Sequence, residues 1–198
     1  MQALLIRHGK TPGNEEHRYI GRTDEPLSND GRAEAERCMK DPEQKQVYVS
    51  PYLRARETAK ILFPNAKQIP VPGLRETDFG VFEGKNADEM ADDPKYRAWV
   101  DSWCTGPIPG GESRDDVTRR AVSAFSRAVR SSMKRGEECV VFVTHGGVIM
   151  SILSALALPE RDYYDYQTKN LSGWTVECTE EDGEIRLLNP QRISLAEK

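Results

Sequence analysis

Two of the three histidines in the chain occupy equivalent places. His8 follows the apolar run Ala3–Ile6 in Arg7-His8-Gly9, and His145 follows the run Cys139–Val143 in Thr144-His145-Gly146-Gly147. Runs of this kind, rich in Leu, Ile and Val and unbroken by charge, are the pattern of strands buried on both faces of a largely parallel sheet. Ligands of such sheets bind in the crevice outside the carboxyl ends of the strands, so neighbouring strands would bring both imidazoles together there. The glycine after each histidine lets a ligand approach the backbone. A third run, Val47–Ser50, is followed by Arg54 at the start of a helical segment. A guanidinium offers a planar fork that matches phosphate oxygens and stays charged in any site. Arg7 and Arg54 with two histidines therefore suit a phosphoryl group. Arg32, Arg37, Arg56 and Arg127 fall on polar helix faces and read as surface groups.

The elements that must position these residues alternate. Between the strand runs lie helical signals at Asp30–Lys40 after Ser28, at Arg54–Leu62 before Pro64, and in a long segment after Ser113. In that long segment Val117, Ala121, Ala124, Phe125, Ala128 and Met133 recur at helical spacing, which gives one core-facing stripe. Val148–Leu158 reads as a buried helix, about half the ~20 residues that a membrane span needs. Trp174–Cys178 and Ile185–Leu188 flank Asp182-Gly183 as a closing hairpin. Alternation of strand and helix predicts an α/β fold. The segment 85–108, with Asp88, Glu89, Asp92, Asp93, Tyr96, Trp99 and Trp103, reads as an inserted helical lid on a single domain spanning 1–198.

Composition narrows the partners. The formal charge is −4, from 28 basic against 32 acidic residues, so no general field draws nucleic acid or an anionic membrane. The four cysteines contain no C-x-x-C pair, which predicts reduced thiols, no zinc site and a cytoplasmic setting. The run Ala3–Ile6 stops well short of the roughly 7–15 apolar residues of a secretory signal. Neither G-x-x-x-x-G-K-[ST] nor G-x-G-x-x-G occurs, so ATP and dinucleotide binding lack support, and no cofactor or metal is expected.

In these residues and their order the chain resembles the histidine phosphatase superfamily, the phosphoglycerate mutase-like family. The resemblance rests on six motifs in family order over residues 3 to 150. They are Arg7-His8-Gly9-Lys10-Thr11 with Asn14; Gly21-Arg22-Thr23-Asp24 with Pro26-Leu27-Ser28 and Gly31; Ser50-Pro51-Tyr52-Leu53-Arg54-Ala55 with Thr58-Ala59; Leu74-Arg75-Glu76 with Gly80 and Phe82-Glu83-Gly84; Pro109-Gly110-Gly111-Glu112-Ser113; and Thr144-His145-Gly146-Gly147. The residue after the RHG triplet is commonly glutamate in the family and is Lys10 here, expected to tune the mouth of the site. Trp99-Val100-Asp101-Ser102-Trp103 and Ile185-Arg186-Leu187-Leu188-Asn189 are similar to the α-ribazole phosphatase branch. The implied fold is a three-layer sandwich, a mostly parallel central sheet flanked by helices.

The resemblance also implies roles. His8 is the expected nucleophile, a neutral imidazole that forms a phosphohistidine and splits hydrolysis into two steps. Arg7, Arg54, His145 and Gly146, with Asn14, Arg22 and Thr23, are expected to hold the phosphoryl group and substrate. Glu76 is the expected general acid; Glu83 reads as a structural carboxylate of the Phe82-Glu83-Gly84 turn, and Asp78 is a weaker rival. His17 reads as a solvated loop residue or a neighbour of the entrance beside Arg18, Tyr19 and Arg22. The substrate is expected to be a small phosphorylated metabolite. Acidic groups in the lid should repel a carboxylate such as phosphoglycerate, while Trp99, Trp103 and Tyr96 either stack on a ring or pack the lid onto the body. A phosphomonoesterase follows, with α-ribazole-5′-phosphate from cobalamin synthesis as one substrate. The alternatives are a cofactor-dependent mutase, a broad-specificity sugar phosphatase and a non-catalytic phosphate-binding regulatory module.

Overall fold

The structure is a computed structural model that describes residues 1–195. In chain order the elements are β1 (Gln2–Arg7), α1 (Pro12–Glu15), α2 (Asn29–Arg37), β2 (Gln46–Val49), α3 (Leu53–Leu62), β3 (Lys67–Pro70), α4 (Pro94–Asp101), α5 (Arg114–Lys134), β4 (Cys139–Thr144), α6 (Gly146–Leu156), β5 (Ala157–Leu158), β6 (Ser172–Glu181) and β7 (Glu184–Ser194). The strands form one sheet in the order β3-β2-β4-β1-β6-β7-β5. β3, β2, β4 and β1 run parallel, β6 returns antiparallel to β1, and β7 pairs antiparallel to β6.

The two faces of the sheet carry separate cores because strand side chains alternate. Ala3 and Leu5 of β1, with Val140 and Phe142 of β4, join Val117, Ala121 and Phe125 of α5 and Val148, Ile149 and Ile152 of α6. Ile6, Val141 and Val143 point to the other face and join Ala35 of α2 and Ala55, Ala59 and Leu62 of α3. Two covered faces make the three-layer sandwich, and they explain why the central strands read as continuous apolar runs. α5 opens with a capping box in which Ser113 and Asp116 satisfy each other's backbone N–H groups.

Several elements differ from the sequence reading. The second helix stops at Arg37 and not at Lys40, and the second strand ends at Val49, leaving Ser50 just outside it. Met133 is only partly buried at the end of the α5 stripe. β3 carries two exposed residues in four and a proline, a pattern that does not signal a strand by itself. The hairpin turn falls at Asp182-Gly183 as read, with longer arms. Segment 85–108 holds one short helix, α4, with turns on either side of it. Four of its residues are helix-breaking or turn-forming near α4: Asp93 caps the helix, Pro94 starts it, and Trp103 and Cys104 adopt φ of 57° and 56° just beyond it. Among the described residues no helix is long and apolar enough to cross a membrane, and no disulfide joins any of the four cysteines.

β6 approaches β1 closely at Gly173, which pairs with Ile6. A Cβ there would fall against the carbonyl oxygen of Leu5, inside van der Waals contact. Gly173→Ala is therefore expected to lower the unfolding free energy by about 1–3 kcal/mol, read as a lower urea midpoint.

Candidate active site

The register of the central strands decides where the reactive groups meet. Arg7 and Thr144 are partners across β1 and β4, so His8 and His145 emerge side by side from the carboxyl edge. Their ring centroids lie 5.0 Å apart. Val49 of β2 pairs with Val143, which puts Ser50 next to His145, and α3 follows closely enough to turn Arg54 into the same crevice. His8, His145 and Arg54 are all at most 3% exposed. The first turn of α6, with its free backbone N–H groups, begins immediately after His145.

Hydrogen bonds fix the proton on each imidazole. His8 Nδ1 donates to the carbonyl of Gly9 at 2.6 Å, so the lone pair is on Nε2. Arg54 Nε donates to His145 Nδ1 at 3.3 Å, so the His145 proton is on Nε2 and is donated to Ser50 Oγ at 2.7 Å. Both nitrogens of His145 are thus engaged by protein groups, and a bond from it to a phosphoryl oxygen has to replace the bond to Ser50. Burial, followed by the charges of Arg54 and Arg7, holds the His8 pKa well below its ordinary 6.5. His145 is depressed by burial first, then by Arg54, His8 and Arg7. Both rings are neutral near pH 7.

The guanidiniums are held by carbonyls. Arg54 donates to Thr23 O at 2.8 Å and Gly21 O at 2.9 Å, and stacks over Tyr52 with its Cζ 4.8 Å from the ring centroid. Arg7 donates through Nη1 to Thr168 O at 2.7 Å, while its buried Nε has no hydrogen-bond partner among the described residues. Burial lowers the pKa of each, and the negative charge of Glu76 works against that shift in both. Glu76 is partly exposed, and its Oε1 accepts from the Thr77 N–H at 2.8 Å. A Cβ built on Gly147 would come within 2.8 Å of that same oxygen, so the carboxylate packs over the first turn of α6.

Other expected residues are placed less centrally. Asn14 lies on α1, where its Oδ1 accepts from Asn170 Nδ2 at 3.1 Å; the same amide donates to His8 O at 2.9 Å. Gly146 is buried against the Arg7 guanidinium, 3.5 Å from a notional Cβ to Nε. Arg22 and Thr23 are exposed, and what the loop offers Arg54 is backbone carbonyl oxygen. Glu83 Oε1 accepts from the N–H groups of Gly21 and Thr23, both at 2.9 Å, and so shapes that loop. Asp78 faces Arg22 at 3.8 Å. His17 is exposed, with φ of 55°. Lys10 pairs with Glu34 at 2.7 Å. No cluster of His, Cys, Asp or Glu suited to a metal ion occurs among the described residues.

Sequence reasoning missed the clamp that holds the Glu76 segment. Arg120 of α5 binds Glu112 bidentately at 2.7 and 2.8 Å and donates to the carbonyls of Gly73, Arg75 and Glu76. Glu112 also accepts from Arg75 at 2.8 Å and from the Asp78 N–H at 3.0 Å. Burial alone would raise the Glu112 carboxyl, but the Arg120 and Asp78 hydrogen bonds and the charges of Arg120 and Arg75 outweigh it and hold the pKa low. The signal available in sequence was an arginine at the edge of the α5 apolar stripe, which is indistinguishable from a surface charge without the partner loop. Ser50 was quoted only as part of a motif, and its contact with His145 depends on the β2–β4 register.

Beside Glu76 opens a cleft of about 350 Å³, lined by Tyr19, Phe79, Trp99, Met150, Tyr163 and Tyr164 among others. Tyr163 is pushed up to about 12 by burial and by the charge of Glu76. Trp99 both lines this cleft and packs with Phe82, Tyr96 and Tyr19. Trp103 is 76% exposed and does neither, which corrects the expectation of a tryptophan pair. The lid acids do not line the cleft. Glu89 pairs with Arg18 and Asp92 with Arg97, while Asp93 caps α4. Their expected repulsion of a carboxylate is corrected on that ground.

With this geometry in hand, comparison with known proteins gives consistent results. The family model described as "Histidine phosphatase superfamily (branch 1)" matches residues 3–191. A 2,3-bisphosphoglycerate-dependent phosphoglycerate mutase 2 from Gloeobacter violaceus is 32% identical over 171 residues, covering 77% of this chain and 74% of its own. The crystal structure of the α-ribazole phosphatase from Shigella flexneri superposes with a TM-score of 0.75 at 25% identity, over 94% of both chains. A mycobacterial glucosyl-3-phosphoglycerate phosphatase superposes with a TM-score of 0.81 at 27% identity, over 98% of this chain and 99% of its own.

Two measurements follow from the site. Both histidines bind protons more weakly folded than unfolded, so below about pH 6.5 the unfolded chain takes up protons that the native one refuses. Stability is therefore full above that pH and falls as pH drops towards the depressed values, by up to about 1.4 kcal/mol per pH unit for each histidine. Urea titrations between pH 7.5 and 5 check this, and His145→Asn should flatten the slope. Separately, Arg120→Met, which removes the tie between Glu112 and the carbonyls of Gly73, Arg75 and Glu76, is expected to cost about 2–4 kcal/mol in unfolding free energy, read as a lower urea midpoint.

Proposed function

As the chain belongs to the histidine phosphatase superfamily, branch 1, we propose that it hydrolyses phosphate monoesters of small metabolites through a phosphohistidine on His8. The observation that carries this reading is the His8 tautomer. Its Nδ1 proton is committed to Gly9 O, and burial beside two guanidiniums keeps the ring neutral, so Nε2 presents a lone pair to phosphorus. In the first step His8 Nε2 forms a bond to phosphorus as the ester P–O bond breaks. Glu76 gives its proton to the departing alkoxide. Arg7, Arg54 and the α6 N–H groups stabilise the equatorial oxygens, with Asn14 and Asn170 at the margin. In the second step Glu76, now a carboxylate, takes a proton from water as the water oxygen attacks phosphorus and the bond to His8 breaks. Inorganic phosphate and the starting enzyme result.

The cleft beside Glu76 supports a bulky leaving group, because its size falls in the usual ~300–1,000 Å³ range of small-molecule sites and its lining is aromatic. α-Ribazole-5′-phosphate is one such ester, and glucosyl-3-phosphoglycerate is another. The mutase named among the relatives favours a second reading, return of the phosphoryl group to a bound acid. Turnover of both esters, 3-phosphoglycerate and 4-nitrophenyl phosphate by wild type and His8→Ala, in EDTA, separates the readings. Phosphate release by wild type on at least one bulky ester, with a loss of about 10³-fold or more in His8→Ala, is the expected result. Isomerisation of phosphoglycerate without release moves the protein to the mutases. Tight phosphate binding with equal inertness of both proteins on every ester makes it a binding module.

A further inference from the structure

The cleft that adjoins Glu76 holds a cation that the reaction does not use. Arg114, the first residue of α5, lines it. Its Cζ sits 4.1 Å from the Tyr163 ring centroid and 5.3 Å from that of Tyr164. Its Nη2 donates to the carbonyl of Trp103 and to Tyr164 Oη, the latter at 3.0 Å. Tyr164 Oη donates in turn to the same Trp103 carbonyl at 3.0 Å. Two rings and two hydrogen bonds therefore hold the guanidinium in one orientation, so little freedom is left to lose on binding.

The rest of its bonding capacity is uncommitted. Among the described residues no carboxylate lies within ion-pairing distance of Arg114, and Nε and Nη1 have no acceptor. The other carboxylate on the cleft apart from Glu76 is Glu112, which is saturated by Arg120, Arg75 and the Asp78 N–H. Of the lid acids, Glu89 pairs with Arg18 and Asp92 with Arg97, and Asp93 caps α4. The leaving-group oxygen has to meet Glu76, so the body of the leaving group occupies this same cleft and passes within its walls the one guanidinium that has donors to spare.

We propose that Arg114 is a specificity-determining residue that reads a second oxyanion, a carboxylate or a further phosphate, on the leaving group of the substrate. The substrate class is then a phosphate monoester whose alcohol carries an anionic group beside an apolar or ring-bearing body. The inference rests on the phosphatase reading for the direction of the leaving group. A charge-assisted fork in a partly water-excluded cleft is worth about 10- to 100-fold in affinity, and the aromatic lining accommodates the body.

The test uses matched probes that differ only in the anion. Benzylphosphonate and its 3- and 4-carboxy derivatives cannot be hydrolysed, and calorimetric titration reads their binding whether or not the enzyme turns over. Wild type is expected to bind at least one carboxylated member about 10-fold or more tightly than the parent. Arg114→Gln should bring that ratio close to one, and Arg114→Lys, which keeps the charge without the fork, should restore part of it. A ratio near one in wild type for both isomers overturns the proposal. So does an Arg114→Gln protein that loses affinity for all three probes equally, since that is the signature of a residue that merely ties Trp103 to the body. Should Arg114→Gln fail to fold, the wild-type ratio and Arg114→Lys still decide. Hydrolysis of phenyl phosphate and its carboxy derivatives is measured alongside, and the pair 3-phosphoglycerate and glycerol 1,3-bisphosphate distinguishes carboxylate from phosphate. Discrimination among the phosphonates without any hydrolysis overturns the phosphatase reading and leaves Arg114 as the anion reader.

Discussion

Arg7 and Arg54 carry two positive charges into the carboxyl edge of the sheet, and no carboxylate lies within ion-pairing distance of either among the described residues. Removing a guanidinium from water costs several kcal/mol even after relaxation. The surrounding chain is arranged to lower that cost with dipoles and distant charge. Carbonyls of Ile20, Gly21, Thr23 and Thr168 accept from the two groups, Tyr52 lies under Arg54, and Glu76 and Glu25 contribute from further away. A full counter-charge is supplied only by an anion that sits among them. Burial first, and then the same pair of charges, keeps His8 and His145 unprotonated, so under the proposed function one buried cationic edge would serve both to bind a phosphoryl group and to keep the attacking imidazole neutral.

The fold meets this constraint by making one edge of a parallel sheet the meeting point of three chain segments. His8 N–H donates to Thr144 O at 3.0 Å and Ser50 N–H to Val143 O at 2.9 Å, so the ladders continue one step past the strands and tie the reactive loops to one another. Thr58 of α3 reaches across, accepting from the Gly9 N–H and donating back to Arg54 O. Thr144 Oγ1 donates to Leu74 O and connects β4 to the segment that carries Glu76. Positions that must agree to within a fraction of an ångström are set by backbone bonds in the buried centre of the sheet, where stability is greatest.

What could be read in the sequence tracks how local its cause is. The strands β1 and β4 are legible because burial on both faces forces continuous apolar runs, and the stripe of α5 because one face alone is buried. β3 is not legible, since it lies at the sheet edge and its Lys67 and Gln68 look like loop. The histidines and Arg54 could be placed because each follows a readable strand. Arg120 and Glu112 could not, because an ion pair that clamps three carbonyls of a distant loop leaves no local trace in a polar helix face. The lid misled for the opposite reason. Its acids and tryptophans suggested a charged, stacking mouth, whereas Glu89 and Asp92 turn to arginines on the outer surface and Trp103 to solvent.

These two kinds of legibility correspond to two parts of the site with different physics. The group of His8, His145, Arg7 and Arg54 is built on strand ends and helix starts between the two cores, and its members are linked to one another and to neighbouring loops through hydrogen bonds. The cleft beside Glu76 is built from the turns of 85–108, the segment 163–167 and the start of α5, which meet through side chains such as Tyr19, Tyr163, Tyr164 and Arg114. Surface turns tolerate substitution that a central sheet does not. A chain of this architecture can therefore retain one phosphoryl-transfer apparatus while its choice of alcohol is rewritten by a few side chains around the cleft. That is why the family follows from the sheet edge, while the substrate has to be argued from the cleft wall, where an aromatic surface and one preorganised guanidinium are the features that the proposed leaving group would meet.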